Sequence, residues 1–179
     1  MRILGIDPGY ALTGYALLDA SDRHEVEVVD YGMITTKAKT YFPNRLLTMF
    51  EAVHSLCDRF EPDVAAIEQL FFASNAKTAI GAAEARGAMI AALASRNIPV
   101  FEYTPNQVKL AVTGYGHAKK GQIQAMVTKL LNLPEVPQPD DIADAIAIAL
   151  CHAQTGNREE FLAQSGYFNQ EYKTMNERE

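Results

Sequence analysis

Arg2-Ile3-Leu4-Gly5-Ile6-Asp7-Pro8-Gly9 opens the chain with a β-rich run that ends on an acid and is closed by Pro-Gly. Proline lacks the amide that a central strand must donate, and Pro-Gly is a turn pair, so the spacing predicts a first strand over residues 2–7. Two more strand candidates follow, Thr13 to Leu18 and Glu25 to Thr35. The second alternates in part, with Val26, Val28 and Asp30 opposed to Glu27, Val29 and Tyr31. Asp19-Ala20-Ser21-Asp22-Arg23-His24 between them is polar, which predicts a hairpin-like meander.

Beyond the meander the hydrophobic period changes. Phe42 to Phe60 reads as a helix opened by Pro43, with Leu46, Phe50, Val53, Cys57 and Phe60 at helical spacing, and Pro62 stops it. Asp63 to Glu68 is a short apolar strand ending in an acid. Asn75 to Arg96 is an alanine-rich helix, and Ile98 to Glu102 is a fifth strand. Thr104-Pro105 opens a short helix through Val112, and a second runs from Lys119 to Leu131. Leu133 to Pro139 holds three prolines and serves as a connector, and Asp140 to Ala153 is a last helix, apolar on nearly every side. The order predicts an α/β fold: a mixed five-stranded sheet, antiparallel meander in front and parallel βαβ units behind, flanked by helices.

The 179 residues, 48% hydrophobic and 21% charged, suit one folded domain over 1–155 with a polar, flexible tail over 156–179. A chain of this size buries roughly 70% of its unfolded surface, so a single core suffices without disulfides or a structural metal. No apolar run reaches about 18 residues, which excludes a membrane-spanning helix, and the opening lacks the apolar region of a signal peptide. Cys57 and Cys151 sit in helical apolar patterns with no zinc-type spacing, as reduced core thiols of a cytoplasmic protein do. The net charge of −6 argues against a nucleic-acid partner, but its distribution argues the other way. Gln69 to Asn132 carries seven basic residues against two acidic ones, leaving the remainder of the chain at −11. Solvated helix faces explain such a block equally well.

Three carboxylate positions conflict with their surroundings. Asp7 and Glu68 each end an apolar strand, and Asp144 interrupts Ile142-Ala143-Asp144-Ala145-Ile146-Ala147-Ile148. A buried carboxylate is costly unless a cation, hydrogen bonds or a raised pKa compensates. Asp141, three residues before Asp144, shares its helix face. Singly, each has an ordinary explanation: Asp7 as a turn former, Glu68 as an exposed strand end, Asp140 as the helix N-cap, Asp141 as a partner of the positive helix end. Jointly these explanations weaken. If the first and fourth strands are neighbours, Asp7 and Glu68 lie side by side, and a helix packed on the sheet brings Asp141 and Asp144 to the same place. Hard oxygen ligands select Mg²⁺ or Mn²⁺, and four acids suit two ions about 3.5–4 Å apart, the geometry of in-line phosphodiester displacement. No Ser-His-Asp or Cys-His arrangement and no phosphate-binding Gly-x-x-x-x-Gly-Lys loop competes.

At this point the residues themselves are familiar. Leu4-Gly5-Ile6-Asp7-Pro8-Gly9 with Thr13-Gly14-Tyr15 resembles the opening of the RuvC family of Holliday-junction resolvases. So do Ala66-Ile67-Glu68-Gln69 with Phe71-Phe72, Ala85-Arg86-Gly87, Gln107-Val108-Lys109, Gly114-Tyr115-Gly116-His117-Ala118-Lys119-Lys120 and Pro139-Asp140-Asp141-Ile142-Ala143-Asp144. The opening alone also begins actin-like ATPases, but the series, in order over about residues 1 to 155, is specific. The resemblance implies an RNase H-like fold, a homodimer, and metal-dependent cleavage of two opposed strands of a four-way DNA junction. It makes Asp7, Glu68, Asp141 and Asp144 the catalytic and metal-binding acids, with two Mg²⁺ or Mn²⁺ ions, and Lys109 and Lys120 the basic residues near the scissile phosphate. A branch-migration helicase is a partner implied in the same way. Tyr10 departs from the small hydroxyl residues common at its position, without removing a ligand, and Lys119 looks like an additional charge.

Lys109, Lys119 and Lys120 are expected to contact backbone phosphate, which carries no sequence information. Phe71 and Phe72 follow Glu68 in a loop, and one of them is expected to stack on an unpaired base, with Phe71 favoured by family analogy. The alanine-rich helix allows close backbone approach, and the resemblance places part of it in a two-fold dimer that matches the symmetry of a junction. The alternatives are an RNase H-like nuclease acting on structured RNA and a non-catalytic junction-binding module. An actin-like ATPase needs two such domains and is too large for this chain.

Overall fold

The computed structural model describes residues 1–21, 25–70 and 76–155. Phe71, Phe72 and the proposed tail over 156–179 lie outside the described residues. Five strands, β1 (Arg2–Asp7), β2 (Leu12–Ala20), β3 (Val26–Thr35), β4 (Val64–Glu68) and β5 (Val100–Tyr103), form one sheet in the order β3-β2-β1-β4-β5. β1 pairs antiparallel with β2 and β2 with β3, while β1–β4 and β4–β5 are parallel. This is the expected mixed sheet, with the first and fourth strands adjacent. The helices are α1 (Phe42–Phe60), α2 (Ala76–Ala94), α3 (Pro105–Thr113), α4 (Lys120–Leu130) and α5 (Asp140–Thr155).

Ends differ from expectation by a residue or two where side chains decide the boundary. β2 runs on to Ala20 because Asp19 pairs across the ladder with Arg2, whose Nε and Nη2 donate to its carboxylate at 2.9 and 2.8 Å. β5 begins later, at Val100, and extends to Tyr103, which pairs with Glu68. α3 starts at Thr104-Pro105 as expected, and Gln107 completes a capping box there: Thr104 Oγ1 accepts from the Gln107 amide at 3.2 Å, and Gln107 Oε1 accepts from the Thr104 amide at 2.8 Å.

Strand alternation divides the core between the two faces of the sheet. Leu4 and Ile6 of β1 and Ala65 and Ile67 of β4 point to one side, where α1 contributes Met49 and Val53 and α2 contributes Met89 and Leu93. Ile3 and Ala66 point to the other, where α5 lies with α3 and α4 beside it. The same period of two carries Asp7 and Glu68, two residues beyond Gly5 and Ala66, onto the α5 face. Cys57 and Cys151 are free and buried, and burial raises their thiols to about 11 and about 12. Among the described residues no helix is long and apolar enough to cross a membrane.

Candidate active site

Two glycines set how closely α5 approaches the sheet. A Cβ on Gly5 would lie 2.3 Å from the Ala145 carbonyl oxygen and 2.8 Å from the Ala149 Cβ, and one on Gly14 would lie 2.0 Å from the Asp141 carbonyl oxygen. Asp141, Ala145 and Ala149 repeat at i, i+4, i+8, so one helix edge rests on β1 and β2 through backbone contact. Gly14 is the ladder partner of Asp7, and Ile6 and Ile67 pair just before Asp7 and Glu68. The N-terminal end of α5 is thereby laid against the ends of β1 and β4.

The electrostatics follow from that placement. Burial pushes the Asp7 carboxyl up to about 7, reinforced by the negative charges of Glu68, Asp144 and Asp141, while Lys120 pulls the other way. Glu68 is raised by burial and by Asp144, against the pull of Lys109 and Lys120. Burial also raises Asp144, opposed by its bond to Lys120. Lys120 Nζ bridges Asp140 at 2.6 Å and Asp144 at 2.9 Å. Burial works against the ammonium, but these two hydrogen bonds prevail and raise its pKa, while Asp140 is lowered by the same contact.

A cleft of about 220 Å³ opens beside the acids, walled by Glu68, Asp144, Lys109 and Lys120 with apolar Val108 and Ile148. Asp7 and Asp141 are not in its walls; Asp7 feels the charges of Glu68 and Asp144 from the adjoining strand, and Asp141 adds its charge to Asp144 from the turn of helix before it. Lys119 is exposed at the start of α4, where Gln122 Oε1 accepts from its amide at 2.8 Å, and it is not in the cleft wall.

Asp140 is the first residue of α5; its carboxylate takes backbone hydrogen bonds at the helix start, as a cap would, and is also engaged by Lys120. Two further contacts escaped the sequence reading. Arg86 Nε donates to the Glu68 carbonyl oxygen at 3.1 Å, and its Nη2 pairs with Glu102 Oε1. An arginine on an alanine-rich helix and an acid inside an apolar strand were the available signal.

The donor set fits a hard divalent cation in kind and in charge: several carboxylates, partly buried, repelling one another, with an ammonium already drawn in among them. As they stand, no three aspartate, glutamate, histidine or cysteine side chains among the described residues are gathered closely enough to hold one ion. Holding an ion here would require side-chain adjustment, including release of the Lys120–Asp144 contact.

The sheet order, its α5 face and the acids at the strand ends define an RNase H-like fold of the junction-resolvase type. The structure of the yeast mitochondrial Holliday junction resolvase Ydc2 shares this fold with a TM-score of 0.61 at 16% identity, covering 91% of this chain and 85% of that one. The chain belongs to the RuvC family: the family model described as crossover junction endodeoxyribonuclease RuvC matches residues 3–152. A protein of that description from Caldicellulosiruptor saccharolyticus is 51% identical over 152 residues, 85% of this chain and 92% of its own length. Another, from Alkaliphilus oremlandii, is 50% identical over 157 residues, 88% of this chain and 95% of its own. The structure of Thermus thermophilus RuvC in complex with a Holliday junction substrate superposes with a TM-score of 0.84 at 32% identity, covering 89% of this chain and 96% of that one.

Proposed function

We propose that this protein is a structure-specific endonuclease that resolves four-way DNA junctions by metal-dependent hydrolysis of phosphodiesters on two opposed strands, in recombination and DNA repair. The observation that carries this reading is geometric, in a chain of the RuvC family: β1 and β4 pair at Ile6 and Ile67, just before Asp7 and Glu68, and Gly14, the ladder partner of Asp7, lets the start of α5 at Asp141 rest on the sheet.

Asp7, Glu68, Asp141 and Asp144 would serve as ionised ligands for Mg²⁺ or Mn²⁺, two ions per site. Such cations supply Lewis acidity to a phosphate oxygen and lower the pKa of water. The protein's own contribution is placement and charge. β1 and β4 fix two carboxylates side by side, and α5 brings the other two against them. Lys109 and Lys120, in the cleft wall, attract the DNA backbone and offset negative charge at the scissile phosphate. Lys119 adds a more peripheral phosphate contact, and Phe71 or Phe72 stacks on a base at the junction centre. Two copies of the chain related by a two-fold axis would present two such sites to a near-symmetric junction, acting in the cytoplasm beside a branch-migration helicase.

The direct test compares cleavage of a four-way DNA junction, a linear duplex and a structured RNA, each with Mg²⁺ or Mn²⁺, by the parental protein and by Asp7→Asn. Paired cuts confined to the junction, abolished in Asp7→Asn while junction binding persists, are expected. Preferential cutting of the RNA would favour a nuclease of different substrate. Tight junction binding without cuts would reduce the protein to a binding module.

A further inference from the structure

The Arg86 side chain leaves α2 and reaches the C-terminal ends of β4 and β5. Its Nε donates to the main-chain oxygen of Glu68 at 3.1 Å, and its Nη2 pairs with Glu102. Only 13% of the Arg86 side chain and 20% of the Glu102 side chain are exposed. A largely buried cation and a largely buried acid each account for the other, since either alone would lack compensation for its lost hydration. The pair does not account for the second bond, in which the guanidinium also engages the backbone of an acid in the candidate active site.

A planar guanidinium donates in fixed directions, so one that binds Glu102 on β5 and the Glu68 carbonyl on β4 sets the two strand ends relative to each other and to α2. The corner is closed by the Gln69 amide, which donates to the Tyr103 carbonyl at 2.8 Å. The charges that bear on the Glu68 carboxyl itself are those of Asp144, Lys109 and Lys120, so Arg86 works on the main chain from which that carboxyl projects.

We propose that Arg86, held by Glu102, is a positioning residue for Glu68, fixing the end of β4 so that the Glu68 carboxylate stays in register with Asp7 and Asp144; this rests on the nuclease reading of the site. A misplacement of about 1 Å at a reacting centre costs up to about 10²-fold in rate, so the contact matters without touching substrate or ion.

The test uses the full chain with Arg86→Gln, Arg86→Lys and Glu102→Gln. Four quantities are measured: four-way junction affinity in metal-free buffer, Mn²⁺ affinity from free-Mn²⁺ spin resonance, single-turnover cleavage across a Mn²⁺ titration, and hydrogen exchange at the Gln69 amide. Arg86→Gln is expected to slow cleavage about 30- to 100-fold, weaken Mn²⁺ binding several-fold and speed exchange at Gln69, with junction affinity within about two-fold of the parent. Arg86→Lys keeps the charge but cannot span both acceptors, and recovers part of each loss. Glu102→Gln shifts the same readouts in the same direction by less, and decides the matter if Arg86→Gln does not fold. Parental cleavage and parental Mn²⁺ affinity in the folded variant overturn the assignment. So does a rate loss matched by an equal loss of junction binding, because that marks general destabilisation. If the parental protein never cuts the junction, the nuclease reading fails separately, and Mn²⁺ affinity with Gln69 exchange still decides whether Arg86 positions Glu68.

Discussion

Gly14 lies across the β1–β2 ladder from Asp7, and a methyl group placed on it would stand 2.0 Å from the Asp141 carbonyl oxygen. One missing side chain thus sets the distance between two acids that are 134 residues apart in sequence.

Gly14→Ala must lift the first turn of α5 off the sheet or break the ladder beside Asp7. Overpacking of this kind costs about 1–3 kcal/mol, and we expect a corresponding fall in denaturation midpoint. Junction cleavage should fall more than 10-fold under conditions where the variant is fully folded, following the loss expected from misplaced ligands. Gly121→Ala is the control: nothing lies within 4 Å of its added methyl, and removing a helical glycine should leave stability equal or raise it by up to about 1 kcal/mol.

Asp7→Asn should stabilise the metal-free protein while abolishing cleavage. The folded state holds the Asp7 proton up to about pH 7 against an ordinary value of 3.8. Ionising it in the folded state is therefore unfavourable, and stability falls as pH rises from about 4 to 7, by of order 4 kcal/mol at most. The amide removes that penalty. Urea denaturation at pH 8 in chelator should show the variant more stable by about 1–4 kcal/mol, and saturating Mg²⁺ should shrink the gap by stabilising only the parent.

Cleavage should rise with pH through about 7. A carboxylate must lose its proton to bind a cation, and Asp7 loses its proton near 7 in the metal-free protein. At subsaturating Mg²⁺ the single-turnover rate should climb between pH 6 and 8, and raising Mg²⁺ should move the curve toward lower pH. A pH-independent rate over that range at low Mg²⁺ would contradict the placement of Asp7.

The histidine buried under β5 gives a stability slope opposite to that of Asp7. Burial lowers His152 to about 4, and its Nδ1 lies 2.7 Å from the Tyr103 hydroxyl. The folded state resists its protonation, so the associated stability is present above about 6.5 and is lost as pH falls toward 4, by roughly 3 kcal/mol. His152→Phe should lose less stability than the parent between pH 6.5 and 4 in thermal melts.

Much of this was legible in the chain. Strand periods, Pro-Gly and Pro62 fixed the order of elements, and acids that end or interrupt apolar runs marked Asp7, Glu68 and Asp144 as misfits. Adjacency of β1 and β4 turned the first two into neighbours, because a shared period of two sends both to one face. Contacts decided by three-dimensional approach were not legible. Gly5 and Gly14 look like ordinary strand glycines until α5 is laid on them. Asp140 has the sequence of a helix cap, and only the position of α4 shows that Lys120 engages it. Arg86 and Glu102, 16 residues apart, carry no period that links them to Glu68.

The most direct measurement is the anomalous difference map of crystals equilibrated with Mn²⁺. The account expects manganese peaks within coordinating distance of carboxylate oxygens of Asp7 and of at least one each from β4 and α5, with Lys120 withdrawn from Asp144. Saturating Mn²⁺ with no peak between those side chains, and the Lys120–Asp144 contact intact, would contradict it.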